Sequence, residues 1–162
     1  MKDVHYRTIE QKDNPYLAEL VRYGLRSHGL DIPGTAYFDP HLEHLYEFYT
    51  EDPLHRSYFV AADEADVAIG GIGVDVFEGL PNCCELQKLY IDKDWQGCGI
   101  SYTLINILEE EARRLGYQTI YLETHSNLQA AIHVYQNAGY RQIERPQFAM
   151  HETMDIFMIK EL

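Results

Sequence analysis

The sequence predicts a mixed α/β fold: one central, mostly antiparallel sheet of about seven strands flanked by helices, in the order βααβββαβαββ. Three observations predict it. Two Pro-initiated segments with apolar residues at helical spacing precede residue 51. Three β-rich stretches then follow one another between residues 57 and 91, separated by turn residues. From residue 100 onward the apolar period switches between helical and strand spacing. Residues 1–162 are expected to form a single domain, without linker, repeat or low-complexity stretch.

Taken in order, residues 4–9 alternate and form the first strand. Asn14-Pro15 places an N-cap residue before a proline at the first helical position. Leu17, Leu20, Val21, Gly24 and Leu25 then recur at helical spacing, and Gly29 stops them. Residues 32–38 make an aromatic-rich loop. Asp39-Pro40 repeats the start signal for a short second helix carrying Leu42, Leu45, Tyr46 and Tyr49. Residues 57–62 and 67–77 are strands joined by an acidic turn at 63–66. Gly70, Gly71 and Gly73 inside the second of these predict a bulge or a close backbone approach. After a turn at 79–82, residues 84–91 make the next strand. Ile100, Leu104, Ile105, Leu108, Ala112 and Leu115 form one helical stripe that ends at Gly116. Residues 118–123 are a strand, parallel to 84–91 through a right-handed crossover. Residues 128–138 form a helix capped by Gly139, and 141–144 and 154–160 are the closing strands.

Hydrophobic residues make up 46% and charged residues 24%, which excludes a disordered chain. Thirteen Lys+Arg against 26 Asp+Glu give a net charge of −13, which argues against duplex nucleic acid and anionic membrane as partners. No apolar run approaches the ~20 residues of a membrane span, and the first residues have no apolar signal core. Three cysteines, two of them adjacent as Cys83-Cys84, imply no disulfide framework, and a reducing cytoplasm is the expected location.

Chemistry is concentrated in Trp95-Gln96-Gly97-Cys98-Gly99-Ile100-Ser101, between a strand and a helix. Two glycines let the backbone turn tightly and approach a ligand. The helix that follows offers unpaired N–H donors and the positive end of its dipole, which together suit a phosphate or pyrophosphate. A tight strand-to-helix turn with no ligand explains the glycines equally well. A Walker loop is excluded because Gly-Lys-Ser/Thr is absent. A dinucleotide fingerprint fails at its third glycine position, which is Tyr102.

Glu85-Leu86-Gln87-Lys88-Leu89-Tyr90-Ile91 followed by Gln96-Gly97-Cys98-Gly99-Ile100-Ser101 resembles the central motif of the GNAT superfamily of N-acetyltransferases: a strand, then Gln/Arg-x-x-Gly-x-Gly/Ala, then a helix. Leu122-Glu123-Thr124-His125-Ser126-Asn127-Leu128 and the segment Ala130 to Tyr140 resemble the family's next strand and helix. The resemblance implies acetyl-CoA as donor. It places the pyrophosphate on Gln96, Gly97, Cys98, Gly99, Ile100 and Ser101, and the pantetheine arm beside Leu89, Tyr90 and Ile91. Asn127 would hydrogen-bond the cofactor arm, or cap the helix that follows it. The sequence departs from the family at Ser101, where Gly or Ala is usual. Basic residues are scarce in the loop, so backbone N–H groups must hold the anion.

Acyl transfer to an amine needs a neutral amine, a polarised carbonyl, a stabilised oxyanion and a protonated leaving thiolate. An alkyl ammonium of pKa about 10.4 is only about one part in a thousand neutral at pH 7, so a carboxylate that takes its proton is useful. Glu85 stands at the offset where family members often place a base; a solvent-facing or salt-bridged strand glutamate is the plain alternative. Tyr135 matches the family's thiolate-protonating tyrosine, against a core tyrosine at helical spacing. The oxyanion donor is expected to be a backbone N–H near Tyr90. In the family the acceptor binds between the first two helices and the strand ends, which makes Tyr37 and Glu123 candidate substrate contacts. Glu123 is also a second candidate base. The acceptor is expected to be a primary amine of a small molecule, amino acid or peptide; a homodimer is left open. His41 and His44, three residues apart, are read as a solvated helix face rather than a metal site, and no metal is expected. A catalytically inert acyl-CoA-binding module on the same fold is the competing function, separated by whether the CoA thiol is released with an amine panel.

Overall fold

In the computed structural model, which describes residues 2–149 and 151–162, the chain runs β1 (His5–Thr8), α1 (Asn14–Arg26), α2 (Leu45–Thr50), β2 (Ser57–Ala62), β3 (Ala68–Phe77) and β4 (Cys83–Ile91). It continues through α3 (Ile100–Arg114), β5 (Thr119–Thr124), α4 (Gln129–Asn137), β6 (Arg141–Ile143) and β7 (Ile156–Glu161). Among the described residues the strands make one seven-stranded sheet in the order β1-β2-β3-β4-β5-β7-β6. Every neighbouring pair is antiparallel except β4 with β5, as the intervening α3 crossover requires.

Each face of the sheet carries its own apolar layer. Leu104, Ile105, Leu108 and Ala112 turn the expected stripe of α3 onto one face, where Tyr135 of α4 joins them. Leu17, Val21 and Leu25 of α1 pack with Leu45 and Tyr49 of α2 on the other. At one end Phe77 stacks on Tyr121 with ring centroids 3.9 Å apart.

Two helix starts differ from the sequence expectation, each for a traceable reason. A 3-10 turn at Gln11–Asp13 precedes α1, so the N-cap is Asp13 and Asn14 is already helical. The Asn14 side chain instead bridges to α2, accepting from the Tyr46 N–H at 2.8 Å and donating to Glu47 at 2.8 Å. The second helix begins at Leu45 rather than after Asp39-Pro40, with a separate 3-10 turn at Leu42–His44. Asp39 does not cap it because its carboxylate is bound 2.8 Å from the Lys88 ammonium.

The glycines of β3 mark both a bulge and a close approach. Pairing with β4 shifts between Gly71 and Gly73. A Cβ at Gly73 would sit 2.6 Å from the Tyr49 hydroxyl oxygen and 2.7 Å from Cδ2 of Tyr58. Both rings are buried, so neither can swing away. Gly73→Ala is therefore expected to destabilise the fold by about 1–3 kcal/mol through overpacking; a urea midpoint equal to the wild-type value would show that the two rings are free to yield.

Candidate active site

The site begins where β4 and β5 part. They pair only from Cys83↔Thr119 to Glu85↔Tyr121, although β4 continues to Ile91 and β5 to Thr124. The cause lies in β4. Between Gly71↔Tyr90 and Gly73↔Gln87, β4 contains one residue more than β3, and Lys88 takes the left-handed conformation with φ 49°. Such a bulge bends its strand. The hydroxyl of Tyr58 donates to the Lys88 carbonyl at 2.9 Å and pins the bend.

The resulting cleft has a volume of about 300 Å³. Leu89, Tyr90 and Ile91 line its β4 side, and Val134 and Tyr135 of α4 face them. Gly24 of α1 lets the Tyr90 ring pack against that helix, since a Cβ there would meet the ring at 2.5 Å. At one end lie Gln96, Gly97, Gly99, Ile100 and Ser101. Gly97 and Gly99 have φ of 76° and 79°, a conformation that costs an ordinary residue about 1–2 kcal/mol. Gln96 ties the loop back to β4, its Nε2 donating to the Ile91 carbonyl at 3.2 Å. Among the described residues, the N–H groups of residues 97–102 have no protein acceptor, and the first main-chain bond into α3 is Thr103 N–H to Gly99 O at 3.2 Å. A fan of free amides at a helix N-terminus has the geometry and partial charge that suit an anion.

Glu85 stands beside the point of divergence. It is buried, and Gln87 Nε2 donates to its Oε1 at 2.6 Å; Gln87 in turn accepts from the Tyr49 hydroxyl at 2.6 Å. Burial raises its pKa, the Gln87 bond opposes that, and the Glu123 charge adds to it, so the carboxyl titrates near 7. The Tyr135 hydroxyl accepts and donates no protein hydrogen bond among the described residues, and burial pushes its pKa upward. It therefore stays protonated at neutral pH.

The remaining expected residues fall in different places. Glu123 lines the cleft, but its carboxylate is engaged by the Tyr121 hydroxyl at 2.7 Å and the His151 N–H at 2.9 Å. Cys98 is exposed on the loop and lies outside the cleft lining. Asn127 is exposed too, and donates to the His28 carbonyl at 3.0 Å rather than capping α4, whose N-cap is Leu128. Tyr37 lies beside Arg26, its ring tilted 59° against that of Phe38 with centroids 5.2 Å apart, and it is not among the residues lining the cleft. The ring of His41 packs on Phe48 at 4.6 Å, and Cys83 and Cys84 are buried free thiols. Asp39, Lys88 and His151 form a polar cluster that sequence reasoning missed. Only the glycines opposite Lys88 hinted at its bulge, and no motif surrounds His151.

The chain belongs to the family described as Acetyltransferase (GNAT) family, whose sequence pattern matches residues 26–140. An Escherichia coli relative called uncharacterized N-acetyltransferase YjgM is 33% identical, over 96% of this chain and 93% of its own. A Schizosaccharomyces pombe relative called uncharacterized N-acetyltransferase C1271.07c is 32% identical over 57% of this chain and 56% of its own. Among solved structures, a GNAT-family acetyltransferase from Staphylococcus aureus shares the fold at TM-score 0.87 and 20% identity, covering 99% of both chains. The yncA acetyltransferase of Salmonella typhimurium, solved with acetyl-CoA, shares it at TM-score 0.75 and 20% identity, covering 99% of this chain and 94% of that one. The protein is accordingly an N-acetyltransferase. Among the described residues, no helix is long and apolar enough to cross a membrane.

Because the folded-state pKa of Glu85 is raised to about 7 from 4.5, the stability carried by its protonated form is complete below pH 4.5 and declines as pH rises through about 7. A carbon-detected NMR titration of the side-chain carboxyl is expected to show a midpoint near 7. A midpoint near 4.5 would mean that water reaches the group.

Proposed function

We propose that the chain transfers the acetyl group of acetyl-CoA to a primary amine of a small molecule, amino acid or peptide, by direct attack in a ternary complex. One observation carries this reading. The edge of β4 freed by the Lys88 bulge and the free amides of residues 97–102 open onto a single cleft, and Tyr135 lines it between them. A phosphate-bearing ligand with an extended, strand-like arm fits that combination. Acetyl-CoA supplies an acetyl thioester, already activated for attack.

The residues divide the remaining work. Residues 96–101 hold the pyrophosphate by main-chain N–H groups, with the Ser101 hydroxyl as an added donor. The free edge of Leu89, Tyr90 and Ile91 aligns the arm as an extra strand would, and an N–H near Tyr90 stabilises the oxygen that becomes negative when the amine adds. Glu85 takes the amine proton. Its pKa near 7 makes it half-ionised at the pH where it must act. Since Glu85 does not line the cleft, the proton travels through water. Tyr135 gives its proton to the departing sulfur. Desolvation raises the pKa of a thiolate formed beside Tyr135 as it raises that of the tyrosine, which lessens the mismatch between donor and acceptor. The three free thiols fit a reducing compartment, the cytoplasm.

Thiol release from acetyl-CoA is expected with members of an amine panel; binding of CoA without release across the whole panel would leave only a binding module. Tyr135→Phe should lower kcat by about 100-fold while the CoA Kd, read by calorimetry, moves less than about threefold. Small and equal effects on both would assign Tyr135 to packing. Gly99→Ala, which forces a Cβ into φ 79° and turns the amides, should weaken CoA binding by about tenfold. An unchanged Kd would place the anion elsewhere.

A further inference from the structure

His151, between β6 and β7, stands where three elements meet. Its N–H donates to Glu123 Oε1 at 2.9 Å, and its Nδ1 lies 3.4 Å from the same oxygen, at the end of β5. Its Nε2 lies 3.3 Å from Asp39 Oδ1, on the connection that leads to α2. The other Asp39 oxygen pairs with Lys88 Nζ at 2.8 Å, on the β4 bulge. Charges of alternating sign thus run Lys88, Asp39, His151, Glu123. The side chain of Glu123 is 2% exposed and that of His151 23%. Thr153 adds a second tie on the same flank, its hydroxyl donating to the Pro33 carbonyl at 2.6 Å.

A surface latch would need one of these contacts. His151 commits both ring nitrogens to carboxylates, and Glu85 feels its charge as well. We infer that His151 is a positioning residue for the amine side of the site: as an imidazolium it bridges Asp39 and Glu123, seats the β6–β7 segment against β5, and keeps the proton-accepting Glu85 beside a positive neighbour. This rests on the reading of Glu85 as proton acceptor.

The groups that act on the imidazole are Asp39 from the loop, Glu123 from β5 and, through its charge, Glu85 from β4; Lys88 of β4 holds the other oxygen of Asp39, and the Tyr121 hydroxyl of β5 donates to Glu123. Burial lowers the imidazole pKa, but Asp39 and then Glu123 outweigh it and hold it at about 9, above the ordinary 6.5. The bridge is therefore complete below pH 6.5 and is lost as pH rises through about 9. Asp39 is itself held down at about 2: burial raises it, and His151 and Lys88 more than reverse that. Without the imidazolium, Glu85 keeps the negative charge of Glu123 nearby and loses one positive neighbour, so its carboxyl must titrate at higher pH.

The test uses the full chain with two readouts. Histidine resonances are assigned by their loss in His151→Gln, and the His151 ring is then titrated in the wild type and in Asp39→Asn. A wild-type midpoint above about 8 that falls by about one unit or more in Asp39→Asn is expected; a wild-type midpoint near 6.5 overturns the bridge. The second readout is the pH profile of kcat/KM for amine acetylation in His151→Gln and His151→Ala. The acidic limb should move to higher pH, with a loss of about threefold to tenfold at pH 7 that shrinks to within about twofold at pH 9, and with CoA Kd unchanged. A uniform loss at every pH, or an unshifted profile, overturns the positioning role. A wild-type chain that acetylates no amine refutes the transferase reading and this role with it, whereas the ring titration then reports the bridge alone.

Discussion

Lys88 occupies the left-handed region at φ 49° and its carbonyl is held by the Tyr58 hydroxyl at 2.9 Å. That single extra residue turns β4 away from β5, and the cleft exists because of it. A strand edge inside a sheet normally finds a partner, since unpaired N–H and C=O groups are costly when buried. Here the edge after Glu85 is left open over the second half of the strand. The device reaches into β3. Without a side chain at Gly71 and Gly73, the rings of Tyr58 and Tyr49 lie against the strand. One hydroxyl then fixes the bulge and the other holds Gln87 against Glu85. The glycines thus act on the chemistry through two tyrosines on other elements.

In a chain with a net charge of −13, the proposed site holds its anion without basic side chains. The amides of residues 97–102 do this because a helix N-terminus concentrates partial positive charge within a few ångströms. Distant carboxylates are screened over about 8 Å at physiological salt. The charges near Glu85 are paired with one another through Lys88, Asp39 and His151. Overall charge therefore describes the surface and does not describe the site.

Burial gives the two proposed proton carriers opposite tasks. It lifts Glu85 to about 7, where a carboxyl can both take and release a proton, and it keeps Tyr135 protonated. The same desolvation acts on both, and the difference in outcome comes from their ordinary pKa values of 4.5 and 10.0.

All seven strands were legible in the sequence to within two residues at each end, because alternation, helical stripes and Gly stops are local along the chain. The glycine loop was legible for the same reason, whereas Glu85 and Tyr135 were singled out by the family resemblance. The helix starts at Asn14 and Asp39 were misplaced where a capping side chain had a stronger distant partner. The burial of Glu85, the commitment of Glu123 and the part played by His151 were beyond reach. His151 and Asp39 lie 112 positions apart and meet only once β5, β7 and the loop before α2 are packed together. Sequence spacing determines which residues share an element; the proximity of charges, and so their protonation, is decided by how the elements assemble.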